Sequence, residues 1–341
     1  MAVILTIIEV VFMIGFLIFI HEGGHYIASK LSGVKVKEFA IGFGPKIYSK
    51  QGKETLFTLR AIPFGGFNDI EGESERVESK TAFCNAKLSK RIFIIAAGGV
   101  VNIVFGILVY FVVSLFAAEL PYPNIESFME EGAAKDSGLE VGDVIIKLDD
   151  KDVITKLDID WFMADTKGED VLITVRKPDG EIKSYNVKQT PYNGSYILGI
   201  TSGKMADVDF KTKFTYSVDA TGIFIYRTYI SVKNIFTGNF NMEQLKGPIG
   251  ITELVASEQS FDNFISLLSV ISISLGVTNL LPLPALDGGK LVLLVIEGIR
   301  KKPFKEETEL AISSFGFIFL ISLAILVTTN DLVRILRGVI E

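Results

Sequence analysis

Long apolar runs alternate along this chain with polar stretches of different periodicity. Runs at roughly 3–20, 92–118, 264–281 and 311–329 each come near the ~20 residues a helix needs to cross hydrocarbon, and so predict about four transmembrane helices. Between the first two runs the pattern shortens to β-like stretches at 34–41 and 55–62, broken by Gly42, Gly44, Pro45, Pro63, Gly65 and Gly66. A β-hairpin or re-entrant loop returning to the membrane surface over about 34–70 fits that pattern. From 122 to 192 the chain reads as a water-soluble domain. Its "SGLEVGDVIIKLDDKDV" gives a Gly-bounded turn, a strand at 144–148 and an acidic turn, and "DVLITVRKPDGEIKSYNVK" gives two strands around Pro-Asp-Gly. Residues 210–236 are amphipathic, with Phe214, Tyr216, Phe224, Tyr226 and Tyr229 set among Lys and Thr. Such a segment lies along the membrane face or packs on the helix bundle, and a fifth crossing there would alter the topology. The expected organisation is a membrane core at 1–118, the soluble domain at 122–192, a linker with the amphipathic segment at 193–260, and a second membrane core at 261–341.

Composition sharpens this picture. With 49% hydrophobic residues among 341 and a mean hydropathy of +0.41, the chain is too apolar for an ordinary soluble globule. Its net charge of -6 offers no basic surface for phosphates, which excludes nucleic acid as a partner. The lone cysteine, Cys84, excludes an internal disulfide and a thiolate-only metal cluster. The first twenty residues contain Glu9 but no positive leader, and no small-residue cleavage site follows, so the first run reads as a retained anchor. Lys35, Lys37, Lys46, Lys50, Arg60, Lys80, Lys87, Lys90 and Arg91, together with "RKKPFKEE" at 300–307, assign their loops to the cytoplasm. Both termini and about 119–260 then lie outside.

The chain has two histidines, and both fall in "FIHEGGHYIA", 19–28, at the end of the first apolar run. Spaced i and i+4, His21 and His25 share one helix face and can close on one ion, while Glu22 reaches a water beside it. Unpaired in a bilayer, two imidazoles and a carboxylate would cost several kcal/mol. Nitrogen donors with one carboxylate and an open position suit zinc, whereas calcium or magnesium wants more oxygens. The third ligand must then be an acid near the same depth. Asp287 in "NLLPLPALDGGKLVLLVIEG" is the first candidate, because Pro282 and Pro284 interrupt the helix and Gly288 and Gly289 allow close approach. Glu297 is the second. The plain alternative for Asp287 is a cap on a helix starting at Gly288.

"HEGGH", "NLLPLPALDGG" and the soluble insert between them, with "FAIGFGPKIY", "RAIPFGGF", "AAGGVVN" and "KGPIG", resemble the site-2 protease family of intramembrane zinc metalloproteases, in particular its bacterial RseP-type group. The resemblance covers nearly the whole chain. It implies a polytopic α-helical membrane protein of the bacterial inner membrane, one Zn2+ per chain on His21, His25 and Asp287, and Glu22 as general base. It also implies that Asn279 holds substrate backbone or the developing oxyanion. Gly65 and Gly66 would then hold unwound substrate along a strand edge. Asn102 is a further substrate-side candidate, although Gly99 stands where the family usually has proline. The insert resembles a single PDZ domain, through Ala133, Ala134, Gly138, Leu139, Gly142 and Asp143, where better-known relatives carry two. Expected substrates are single-span proteins already cut by another protease, such as anti-sigma factors, or signal-peptide remnants. The PDZ-like domain would filter them by size. Two rival readings are an inactive membrane PDZ adaptor and a zinc transporter.

Overall fold

The computed structural model describes residues 2–340 apart from 165, 167, 193–194, 207, 239–246, 248–249, 251, 253–254 and 256–260. Most of the "KGPIG" motif therefore lies outside the described residues. The chain forms two compact units, one of residues 1–109 with 224–341 and one of 110–223.

The first unit begins with α1 (Ala2–Ser32), an apolar helix without a breaker. It stops at Gly33, where φ is +75° and the amides of Gly33 and Val34 bond back to Lys30 and Ser29, the left-handed glycine termination expected of a helix end. Next come β1 (Val36–Gln51) and β2 (Leu56–Ile70), which pair antiparallel. Both fold back on themselves. In the register, 46–51 lies against 56–60, 36–41 lies against 66–70, and 56–59 is also matched to 38–41. Gly42 and Gly44 at φ +83° and Gly65 at φ +88° permit these bends. The predicted breaks are thus bulges within two long strands, and the extended stretches outrun the β-like runs read from the sequence. Phe43, Ile47, Tyr48 and Ile62 on this sheet are 46–68% exposed, an apolar surface suited to lipid rather than water.

Helix α2 (Leu88–Phe116) follows. Later in the chain come α4 (Phe210–Thr237), whose first half, to Ile223, belongs to the second unit, then α5 (Phe261–Leu280), α6 (Asp287–Arg300) and α7 (Glu306–Ile340). Three described helices are long and apolar enough to span a bilayer, at Thr6–Ser32, Leu88–Phe116 and Glu306–Val333, while Phe264–Leu280 is a shorter apolar helix. Helices meet here through small residues. A Cβ at Gly24 of α1 would lie 2.7 Å from Ala97 O of α2, and one at Gly276 of α5 would lie 2.5 Å from Gly99 O. Ser269 and Ser272 of α5 donate to Gly106 O and Asn102 O of α2 at 2.7 and 2.8 Å. Close backbone approach and interhelical hydrogen bonds are how helices associate where lipid removes the hydrophobic drive.

The second unit contains a six-stranded sheet and a short helix, α3 (Lys156–Ala164), besides the end of α2 and the first half of α4. Its strands are β3 (Glu119–Phe128), β4 (Val144–Leu148), β5 (Lys151–Asp152), β6 (Val171–Arg176), β7 (Ile182–Val187) and β10 (Ile200–Ala206). They are ordered β10-β3-β4-β6-β7, with β5 on β4. A separate hairpin pairs β8 (Thr190–Tyr192) with β9 (Ser195–Ile197). Alternation builds the core. In β6 the even-spaced Val171, Ile173 and Val175 are buried against Ile125, Ile145, Leu148 and Val187.

Candidate metal centre

His21 and His25 lie one turn apart on α1, and Asp287 opens α6 immediately after the proline-interrupted segment 281–286. The residue before α6 that would cap it is Leu286, which makes no side-chain cap bond. Asp287 is itself the first helical residue, and its carboxylate turns to the histidines. Its Oδ2 is 3.2 Å from His21 Nε2 and 3.2 Å from His25 Nε2, and the two Nε2 atoms are 3.2 Å apart. These three atoms make an equilateral triangle. A tetrahedral zinc shell with bonds of about 2.0–2.1 Å has ligand–ligand edges of roughly 3.3 Å, so the spacing fits.

Neighbouring contacts support the same reading. His25 Nδ1 lies 2.9 Å from Ile94 O; as a donor there it leaves the Nε2 lone pair toward the triangle. Asp287 Oδ2 is buried with no hydrogen-bond donor. A proton could bridge only one pair of the three atoms at a time, whereas one cation satisfies all three. Among the described residues this is the cluster of His, Cys, Asp and Glu whose atoms converge closely enough to hold a metal.

Helix α2 supplies the wall behind the imidazoles. A Cβ at Gly98 would collide with His25 Nε2 and would come within 2.8 Å of His21 Cε1, so only glycine fits there. This residue sits inside "AAGGVVN", where the spacing alone does not distinguish it from Gly99, whose missing side chain instead makes room for Leu280.

Glu22, next to His21, is held from the sheet. Asn68 Nδ2 donates to Glu22 Oε2 and to Glu22 O, both at 2.8 Å. A Cβ at Gly66 would lie 3.3 Å from Glu22 Cγ and 2.9 Å from Ala40 O, so Gly66 lets the sheet reach the helix. Gly65 makes room for the Phe43 ring. The strand carrying Gly66 thus meets the metal-bearing helix at Glu22.

Asn279 is half-buried in the last turn of α5, and its side chain forms no hydrogen bond with a described residue. Asn102 is fully buried within α2, one turn beyond Gly98, and both its amide atoms lack partners among the described residues. Glu297 is taken up by Arg91, at 2.6 and 3.2 Å, which removes it as the third ligand. Cys84 lies apart, with its thiol near Val77 O.

Comparison with known proteins places these features in context. A family model described as peptidase family M50 matches residues 9–323. A protein of Clostridium acetobutylicum named as a candidate zinc metalloprotease is 31% identical over 332 residues, covering 96% of this chain and 97% of the relative. A similarly named protein of Fusobacterium nucleatum is 30% identical over 335 residues, covering 96% and 98%. Another, of Agrobacterium fabrum, is 29% identical over 360 residues, covering 96% and 95%.

Proposed function

Because this chain belongs to peptidase family M50, we propose that it cuts peptide bonds in or beside the transmembrane segments of other membrane proteins, as a zinc endopeptidase of the RseP-type group. The observation that carries this reading is the triangle of His21, His25 and Asp287, with both histidines on the apolar helix α1. These three side chains would hold a zinc ion, which would supply Lewis acidity toward a water and the scissile carbonyl.

Glu22, adjacent to the triangle, accepts the proton of the attacking water and passes it to the leaving amine. The Asn279 amide donates to the substrate carbonyl as negative charge grows on it. Substrate helix carbonyls are bonded within the helix, so the segment must first unwind. Gly65 and Gly66 lie where β2 meets Glu22, and the strand at 66–70 pairs on one side with 36–41; an unwound segment laid along it keeps its backbone satisfied. Asn102 offers a buried amide one turn from Gly98 for the same substrate.

In this reading α1, α2, α5 and α7 make four crossings, the sheet of β1 and β2 enters the membrane from the cytoplasmic side, and the second unit is an extracytoplasmic PDZ-like domain. The second unit supplies none of the three ligand atoms and selects substrates by ectodomain size. Deleting it leaves cleavage of an already shortened substrate intact and admits some untrimmed substrate.

The decisive test is cleavage of a short single-span substrate by purified wild type and Glu22→Gln. The variant keeps one zinc per chain and loses cleavage, because the amide preserves shape and cannot take the proton. Activity within about tenfold of wild type would remove Glu22 as the base, since a positioned base contributes about 10²–10⁴. An adaptor or a transporter would show no cleavage by either form.

A further inference from the structure

The base and the sheet are joined by one side chain. Glu22 O is a carbonyl and Glu22 Oε2 a carboxylate oxygen, so both can only accept from Asn68, and that fixes which end of the amide faces them. Each proton of the Nδ2 group has one acceptor, both at 2.8 Å. At the other end, Oδ1 is buried with no hydrogen-bond partner among the described residues. The side chain's hydrogen bonds therefore go to Glu22 alone, one to its backbone and one to its carboxylate. Asn68 follows Gly66 by two residues, so both point to the same face of β2. On that face Gly66 removes the Cβ that would crowd Glu22 Cγ, while Asn68 reaches across to hold it.

We propose that Asn68 is a positioning residue for the reaction: it fixes the rotamer of Glu22 from the strand that receives substrate. This rests on the reading of Glu22 as general base. A glutamate free to rotate must be collected into one orientation at each turnover, and an amide already clamped to its main chain and side chain removes that cost. The same link makes the base depend on the position of the 66–70 strand, so a correctly laid substrate and a correctly aimed carboxylate come together.

The test uses full-length, zinc-loaded protein and a short single-span substrate. Asn68→Ala and the isosteric Asn68→Asp, which offers no donor, should each lower kcat by about 10- to 100-fold, as for groups that orient a reacting residue without touching the metal. KM should stay within about twofold, and zinc should remain at one per chain. Asn68→Gln, which keeps the donors, should recover most of the loss. In a Glu22→Gln background, Asn68→Ala should leave the Kd for substrate unchanged within about twofold, because uniform binding is not what the residue supplies. If Asn68→Ala fails to load zinc, Asn68→Asp carries the comparison. A kcat within twofold of wild type in the Asn68→Asp protein overturns the proposal. So does a rise in KM at constant kcat, which would make Asn68 a substrate contact. Should Glu22→Gln itself retain cleavage, the base assignment fails first; should Glu22→Gln be inactive and the Asn68 variants normal, only the positioning role fails.

Discussion

In the unit of residues 110–223, the core of the sheet is built from Ile125, Ile145, Leu148, Ile173, Val175 and Val187, all fully buried, with Asp143 and Ser217 among its buried polar groups. In the unit of 1–109 and 224–341, the fully or nearly buried positions include His21, His25, Asn102, Ser269, Ser272 and Asp331, while Phe12, Leu31, Phe315 and Phe317 are 61–75% exposed. The contrast follows from the solvent. Water drives strand side chains of the first kind inward. Hydrocarbon gives large apolar residues no reason to leave the surface, so the membrane unit keeps many of them outside and, beside apolar clusters around Ile95 and Met13, turns inward the groups that need partners: imidazoles, hydroxyls, a carboxylate and glycine backbone. Asp331 illustrates it, with Oδ2 accepting the amides of Gly247 and Gly250 at 2.9 Å. Chemistry in this protein resides where burial selects polarity.

That contrast can be broken in four ways. The largest effect is expected from Asp287→Ala. Zinc affinity should fall by more than the ~10–100-fold typical of residues that only orient a ligand, with cleavage lost. The single tryptophan, Trp161, belongs to the second unit, and its fluorescence unfolding curve should not move. Zinc retained at full occupancy would show that Asp287 is not a ligand.

Gly98→Ala comes next, because its methyl would occupy the space of His25 Nε2. We expect zinc affinity to fall about 10- to 100-fold, measured by competition with a chelator. Gly23→Ala on α1 is the control, since a Cβ there meets nothing within 4 Å. Equal affinities in the two variants would place the metal away from α2.

The third test sets an inward residue of one unit against an outward residue of the other. Ile173→Ala should destabilise the second unit by about 2–5 kcal/mol, read by Trp161 fluorescence in urea. Phe317→Ala, at 61% exposure on α7, should change the thermal stability of the membrane unit by no more than about 0.5 kcal/mol. Equal costs would mean that both units are stabilised by the same kind of packing.

The smallest effect concerns pH. In the second unit Lys177 pairs with Glu140 at 3.0 Å and with the buried Asp143 at 3.1 Å. Burial alone would lower its pKa, but the hydrogen bonds to Glu140 and Asp143 outweigh that and raise it above the ordinary lysine value. A raised pKa means that the stabilisation is fully present below the unfolded value, about 10.4, and is lost as pH rises through the higher folded value. Trp161 unfolding should therefore show a fall in stability confined to the alkaline side of that value. Lys177→Met should lack the fall.

Local spacing is what made the histidine pair legible. The i, i+4 relation places His21 and His25 on one face whatever the rest of the chain does, and an apolar setting makes a bare polar pair costly. The four apolar runs, the turn-rich β segment and the alternating strands of the second unit are likewise properties of neighbours in sequence. Asp287 was legible only as the first of two acids. What decided between them is 206 residues away from its partner in sequence, where Arg91 engages Glu297 and leaves Asp287 to the histidines. Gly98, Ile94 and Asn68 carried no local signal for their roles. A glycine in an apolar helix, a main-chain carbonyl and a strand asparagine look alike wherever they occur, and each acquires meaning from what packs against it. The sequence by itself therefore determined which side chains could bind a metal. Only the tertiary structure decided which of them meet, because convergence to a 3.2 Å triangle depends on helix approaches set by missing Cβ atoms and on long-range hydrogen bonds that no period in the sequence encodes.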